Sequence, residues 1–368
     1  MRSNFFITKS NILSLISSIK RVIPELHCIP NLIKNKFIFM KEETVLLQNK
    51  LKNLLQTNID LGLYHFYKGN ISDAKLRFSL IKLFKPKLPL VYYNLGRCYF
   101  ALQKITKAKQ NFMRAIELDN NYADAVYYLN KLNNPESIIS IPENIIAQYF
   151  DYTGEHFVEY WLIAKQYKAY EYVKSLIINF FGDKSALLNI LDLGCGTGVC
   201  GQFLKMKNIG NHITGIDLSS KMINIARGCF VNGKQAYNEL IHISIYDFLK
   251  KNQGKKKYDV IILTEVLQYV GSLHYIFKLL KTALEPDGII IGLVRKKQGP
   301  GLQFVSEGDF FCHSDEYIKS SIKESELECS YSSHCKIYGS QVEGILFVAQ
   351  LQKSTTNSNS STQSVPLK

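Results

Sequence analysis

The 368-residue chain holds eight cysteines, and no two of them stand as C-x-x-C. Metal ligation needs closely spaced pairs, so neither a zinc site nor any other metal site is expected. Scattered cysteines suit a reducing compartment, and a cytoplasmic location is expected. No apolar run reaches the roughly 18 residues of a membrane span, so no transmembrane segment is expected. Acidic residues are missing before Glu25, where the chain is basic and mixes Ile, Leu, Phe and Ser. Such a start reads as an organelle-targeting peptide or as an upstream extension before a start at Met40, and we favour the extension. Lys9, Lys20 and Arg21 interrupt any apolar core of a secretory signal.

Hydrophobic residues make up 46% of the chain and aromatics 12%, enough for large cores. The length allows about two or three domains. Formal net charge is 45 − 31 = +14. The excess follows a Lys, Asn and Ile bias spread along the chain rather than a patch. The longest basic run, Lys255 to Lys257, follows a glycine and reads as a solvated turn. A nucleic-acid partner is therefore not implied by charge.

An internal repeat organises the first third. "LGLYHFYKGNISDAKLRFSLIKLFKP" (61–86) aligns with "LGRCYFALQKITKAKQNFMRAIELDN" (95–120). Gly62 and Gly96 are 34 apart, as are Ala74 and Ala108, and Phe78 and Phe112. That period is the tetratricopeptide repeat's, a pair of antiparallel helices. Small residues sit where helices cross closely; larger ones such as Tyr99 and Phe112 fill the space between repeats. "NYADAVYYLNKL" (121–132) starts a third copy and stops, as a capping helix would. So short an array must dock on its own neighbour, on a partner or on another subunit. The expected role is protein interaction or homodimerisation, with a packing extension of the next domain as the alternative.

Beyond the proline-bearing linker "NNPESIISIP", an aromatic-rich helical stretch (143–177) precedes alternating apolar strands and amphipathic helices. Strands are expected at 188–193, 213–218, 240–246, 258–264 and 288–294, which argues a parallel sheet with helices on both faces. The stretch "LDLGCGTGVCG" (191–201) fits two glycine patterns. Read as G-x-G-x-x-G from Gly196, it suggests a nicotinamide enzyme, but it then buries Asp192 and Gly194 inside a central strand. Read as an acid followed by x-G-x-G-x-G, it ends the strand at Asp192 and begins the loop at Gly194. An acid there suits a ligand carrying an ammonium and a sulfonium, and Gly201 becomes incidental. Asp217, after the second strand, suits ribose hydroxyls in either frame. Ser219 or Ser220 is the expected helix N-cap.

"LDLGCGTG", "GIDLSSKM", "YDVIILTEVLQYV" and "LKTALEPDGIII" resemble, in order and spacing, the motifs of class I S-adenosylmethionine (SAM)-dependent methyltransferases. A narrower resemblance, to bacterial predicted methyltransferases with tetratricopeptide repeats, rests on "YFDYTGEHFVEYW", "HSDEYIKSSIKESELE" and "VEGILFVAQL". The chain departs from that family at Phe310-Phe311-Cys312, where an Arg-Tyr pair is expected. The resemblance implies an α/β fold: a Rossmann-like seven-stranded sheet preceded by an all-α repeat domain. The implied domains are a basic N-terminal extension (1–42), the repeats (43–133), linker and lid helices (134–185), the methyltransferase domain (186–352) and a disordered polar tail (353–368). The implied cofactor is SAM. Asp192, Gly194, Cys195 and Gly196 would line its methionine part and Asp217 would hold its ribose. Leu218, Met222, Tyr246 and Asp247 would surround the adenine, with Tyr246-Asp247 closing the third strand. Thr264 would face the methionine end or the acceptor.

Aligning an acceptor against a sulfonium needs no fixed catalytic residue, and none is assigned. An Asn/Asp-Pro-Pro-aromatic turn, used in methylating exocyclic amines of DNA, is missing after the fourth strand, where Thr264-Glu265-Val266-Leu267 stands. Pro-Cys, needed for cytosine C5 methylation, occurs nowhere. A flipped-base substrate is disfavoured and a small-molecule acceptor expected; a protein acceptor gripped by the repeats and an inactive SAM-binding scaffold are the alternatives. Tyr152 is the candidate lid residue from the segment that also holds Phe157, Tyr160 and Trp161. Gln268, Tyr269 and His313 are candidate acceptor contacts.

Overall fold

The computed structural model describes residues 53–154, 165–339 and 342–352. The expected N-terminal extension, the polar tail, and Phe157, Tyr160 and Trp161 lie outside them. Among the described residues, no helix is long and apolar enough to cross a membrane.

The repeat region is helical throughout: α1 (53–67), α2 (Ile71–Phe84), α3 (Pro89–Ala101), α4 (Ile105–Leu118) and α5 (Ala123–Asn133). The 34-residue register has a steric basis. A β-carbon on Gly62 would lie 2.7 Å from the Phe78 ring, and one on Gly96 would lie 2.6 Å from Phe112. Each glycine admits the phenylalanine of its own repeat. The third partial copy, α5, does not cap the stack toward solvent. Its Tyr127 and Lys131 both donate to Asp309, in the second half of the chain.

After α6 (Glu143–Thr153) and α7 (Ala169–Phe181) comes the sheet. Its strands are β1 (Asn189–Leu193), β2 (His212–Asp217), β3 (Glu239–His242), β4 (Tyr258–Thr264), β5 (Leu284–Arg295), β8 (Leu327–Lys336) and β9 (Glu343–Leu351). A separate two-stranded hairpin, β6 (Leu302–Val305) with β7 (Phe310–His313), precedes β8. The order across the sheet is β8-β9-β5-β4-β1-β2-β3, with only β9 antiparallel to its neighbours. The seven-stranded α/β expectation holds.

Continuous apolar strands follow from burial on both faces. Along β1, Ile190 enters one core and Leu191 and Leu193 the other; along β4, Val260 and Ile262 oppose Ile261 and Leu263. Two details differ from expectation. The third strand ends at His242, and Ser244 caps α10 (Ile245–Asn252), so Tyr246 and Asp247 stand in a helical first turn rather than closing a strand. The Pro286-Asp287-Gly288 stretch is taken up inside β5, where the register slips: Tyr258 faces Leu284 while Val260 faces Ile289.

Strand order reverses beside β1, which pairs with β2 on one side and β4 on the other. Connections from β1 and β4 leave in opposite directions and open a crevice at their carboxyl ends. The repeats and α6 roof that crevice.

Candidate active site

A cleft of about 720 Å³ lies there, within the range of small-ligand sites. Its floor is the loop after β1. Gly194, Gly196 and Gly198 all have positive φ (+73, +54 and +84), a region open to glycine at no steric cost. A β-carbon on Gly194 would press 2.3 Å from Val266, whereas one on Gly196 would meet nothing within 4 Å. The loop is tight underneath and open toward the cleft. Gly198 leads into α8 (Val199–Met206).

Asp217 ties the loop down. Its carboxylate accepts from Gly196 N–H at 2.9 Å and Ser219 N–H at 2.8 Å. Ser219 is the N-cap of α9 (Ser220–Ala226), accepting from Met222 N–H. Ser219 also donates to Asp151 of α6 at 2.6 Å, and Asp151 accepts from Lys221 N–H as well. The segment before the sheet is thereby pinned over the ligand loop.

Asp192 is 2% exposed. Burial pushes its carboxyl up to about 6, although the Tyr237 hydroxyl donates to it at 2.6 Å. The same hydroxyl accepts from Gly201 N–H at 3.0 Å. A β-carbon at Gly201 would lie 2.3 Å from the Tyr237 ring. Gly201 sits inside α8, as expected, but it is not incidental: its missing side chain lets Tyr237 reach Asp192.

Of the residues predicted from sequence, Asp192, Gly194, Cys195, Gly196, Asp217, Leu218, Met222, Tyr246, Thr264, Gln268 and Tyr269 line this one cleft. Asp247, Tyr152 and His313 do not. Asp247 is exposed in the first turn of α10. Tyr152 stacks on Tyr67 of α1, 5.1 Å between ring centres. Glu143, Ile145, Ile146, Tyr149, Phe150 and Thr153 of α6 line the cleft, whereas the Tyr152 ring is taken up by its stack on Tyr67. Phe150 meets Tyr269 edge-on at 5.9 Å. His313 is fully buried, contacts the Val270 carbonyl at 3.1 Å through Nε2, and stacks on Tyr317. Burial pushes it down to about 4, so it is a neutral strut under the 270–271 loop.

Sequence reasoning misses two sets of residues. Glu265, at the end of β4, adopts φ +60. It accepts from the Tyr338 hydroxyl and faces Arg295 at 3.5 Å, while its Oε1 is buried without a partner. Burial raises its carboxyl, opposed by Arg295. Tyr167, Arg295 and Tyr338 complete that wall. The second set belongs to the repeats: Phe66, Tyr67, Arg97 and Tyr128 line the same cleft. The turn "TEV" after an apolar strand was a visible pointer to Glu265; the wall from the repeats needed tertiary structure.

Fold and cleft define a nucleotide-type crevice in a doubly wound sheet, roofed by helical repeats. Residues 191–290 match the family profile described as a methyltransferase domain, and residues 89–122 match that of the tetratricopeptide repeat. The chain thus joins a methyltransferase domain to a tetratricopeptide repeat. It is similar to the malonyl-[acyl-carrier protein] O-methyltransferase of Priestia megaterium, 32% identical over 33% of this chain and 41% of that protein. It is also similar to the ubiquinone biosynthesis O-methyltransferase of Glaesserella parasuis, 28% identical over 36% of this chain and 56% of that protein. The chain spans about half the length of these curated relatives. The solved magnesium protoporphyrin IX methyltransferase of Synechocystis superposes over 58% of this chain and 100% of its own, at 18% identity and a TM-score of 0.43.

Proposed function

We propose that this chain transfers a methyl group from SAM to a small-molecule acceptor. The observation carrying the reading is the open glycine loop flanked by two buried carboxylates, Asp192 and Asp217, at the reversal of strand order. That donor set suits a ligand bearing an ammonium at one end and ribose hydroxyls at the other. When bound, SAM supplies a methyl group already activated on a sulfonium.

The chain's own residues then have five tasks. Asp192 orients the ammonium, and Tyr237 fixes Asp192. Asp217 holds the ribose with lone pairs not used by the loop. Leu218, Met222 and Tyr246 form an apolar slot for the adenine. Phe150, Tyr149 and Tyr269 exclude water at the acceptor end and hold the acceptor in line. Glu265, with one oxygen unpartnered, is suited to take a proton from an acceptor that loses one.

The named relatives are a malonyl-[acyl-carrier protein] O-methyltransferase and a ubiquinone biosynthesis O-methyltransferase, which favours a small acceptor over nucleic acid. The repeats' contribution to the cleft wall favours a role in holding the acceptor. Protein interaction or dimerisation through the repeats is supported by Leu76, Leu80, Leu83 and Phe84, exposed along α2. A cytoplasmic setting accords with the unpaired cysteines of the described residues.

Titration calorimetry on the full chain tests the reading. SAM is expected to bind, S-adenosylhomocysteine to compete, and NADH not to bind. Binding of NADH with no heat from SAM refutes it.

A further inference from the structure

Arg97 is a buried cation at a position that the first repeat copy fills with an apolar residue. In the 34-residue register its counterpart in the first copy is Leu63, an apolar core residue, and in the third it is Lys131. Lys131 is neutralised by Asp309. Arg97 is not: it is 2% exposed, yet among the described residues no carboxylate lies within ion-pair distance of it. Its Nη1 donates only to neutral amides, Asn94 at 3.1 Å and Gln148 at 3.3 Å, and its Nε is buried without a partner. Asp124 feels the charge of Arg97 but lies beyond ion-pair distance of it, and its carboxylate accepts from Asn144. The guanidinium lies 4.2 Å from the Phe66 ring centre and 5.0 Å from that of Tyr67.

Cation–π contacts offset part of the desolvation of a guanidinium, but a buried charge with no counterion in contact remains costly. Arg97 lines the same cleft as Asp192 and Gly194. A cleft-lining cation in contact only with neutral groups, with Nε unpartnered, is a receptor for an anion. The other cation of the cleft, Arg295, already faces Glu265.

We propose that Arg97 binds the oxyanion of the methyl acceptor, so that the acceptor is a small organic anion with a flat, apolar body. Phe66, Tyr67 and Tyr128 would flank that body and Phe150 and Tyr269 would cover it. The repeats then act as the part of the enzyme that reads the acceptor's charge. The inference rests on the methyl-transfer reading only for the word acceptor; the anion site stands without it.

The test uses the full chain with and without saturating S-adenosylhomocysteine. Benzoate, phenyl phosphate and neutral benzamide are titrated by calorimetry. Benzoate or phenyl phosphate is expected to bind at least 10-fold tighter than benzamide, and the stronger of the two identifies a carboxylate or a phosphate. Arg97→Gln is expected to weaken the anion at least 10-fold while S-adenosylhomocysteine affinity moves less than 2-fold. Equal binding of benzoate, phenyl phosphate and benzamide, or of none, overturns the proposal, as does unchanged anion affinity in Arg97→Gln. If that variant fails to fold, the anion-against-amide comparison in the parent decides alone. Arg97-dependent anion binding with no S-adenosylhomocysteine binding leaves the anion site intact and refutes the methyl-transfer reading instead.

Discussion

Replacing Asp192 by asparagine should make the protein more stable and less able to bind its ligand. The Asp192 carboxyl rises from 3.8 to about 6 on burial. At 1.36 kcal/mol per pKa unit this amounts to about 3 kcal/mol. The sign follows from the direction: a raised folded pKa means the native state holds its proton more tightly. Stability then falls as pH rises from about 4 through about 6, and the full cost of charging persists above. Asparagine never charges, and its carbonyl can still accept from Tyr237. Measured by urea melts without ligand, Asp192→Asn should exceed the parent by up to about 3 kcal/mol at pH 8. Roughly half of that gain should remain at pH 5 and none below about pH 4. Subtracting parent from variant at each pH cancels the other titrating groups, including His313, whose buried neutral ring loses stability as pH falls below its unfolded value. SAM affinity should drop about 10- to 100-fold, the worth of a hydrogen bond to a charged group. A variant less stable than the parent at pH 8, or a gain that ignores pH, refutes the account of Asp192 as a strained ligand carboxylate.

Parent SAM affinity itself should weaken below about pH 6, as Asp192 takes up its proton; a flat profile from pH 8 to 5 would contradict this. Asp217→Ala removes both the ribose contact and the clamp on Gly196, and calorimetry should show SAM affinity down more than 10-fold. Gly96→Ala forces a methyl to within 2.6 Å of the Phe112 ring, and thermal melts should report a loss of about 1–3 kcal/mol from overpacking. Phe150→Ala should raise the KM for any acceptor found, whereas Tyr152→Ala should loosen the α1–α6 contact and leave SAM affinity within about 2-fold.

The expected loop, both acids and most of the apolar slot were legible because each depends on local rules. A strand that ends at an acid, a run of glycines that permits positive φ, and a serine N-cap are all properties of a few consecutive residues. Tyr246-Asp247 were misassigned to a strand end because "HISIYDFL" alternates like a strand, whereas the Ser244 cap starts a helix two residues sooner. Tyr152 and His313 lie off the cleft for another reason: residue type is visible in sequence, but which face of α6 or which side of β7 they occupy depends on tertiary packing. Arg97 left a trace. Aligned on the 34-residue register it stands where Leu63 stands one copy earlier, a charge in an apolar position.

The pair formed by Tyr127 and Lys131 with Asp309 has a meaning beyond fold stability. Asp309 sits in the turn of the β6–β7 hairpin and itself lines the cleft. The hairpin grows from the sheet domain, yet its tip is held by the repeats. A cut at the sequence boundary between the two would therefore not release a smaller working unit; it would remove one side of the vessel and unfasten another. For engineering, the interchangeable part is the repeat array together with the hairpin it grips, and altered acceptor preference should be sought by exchanging both as one cassette.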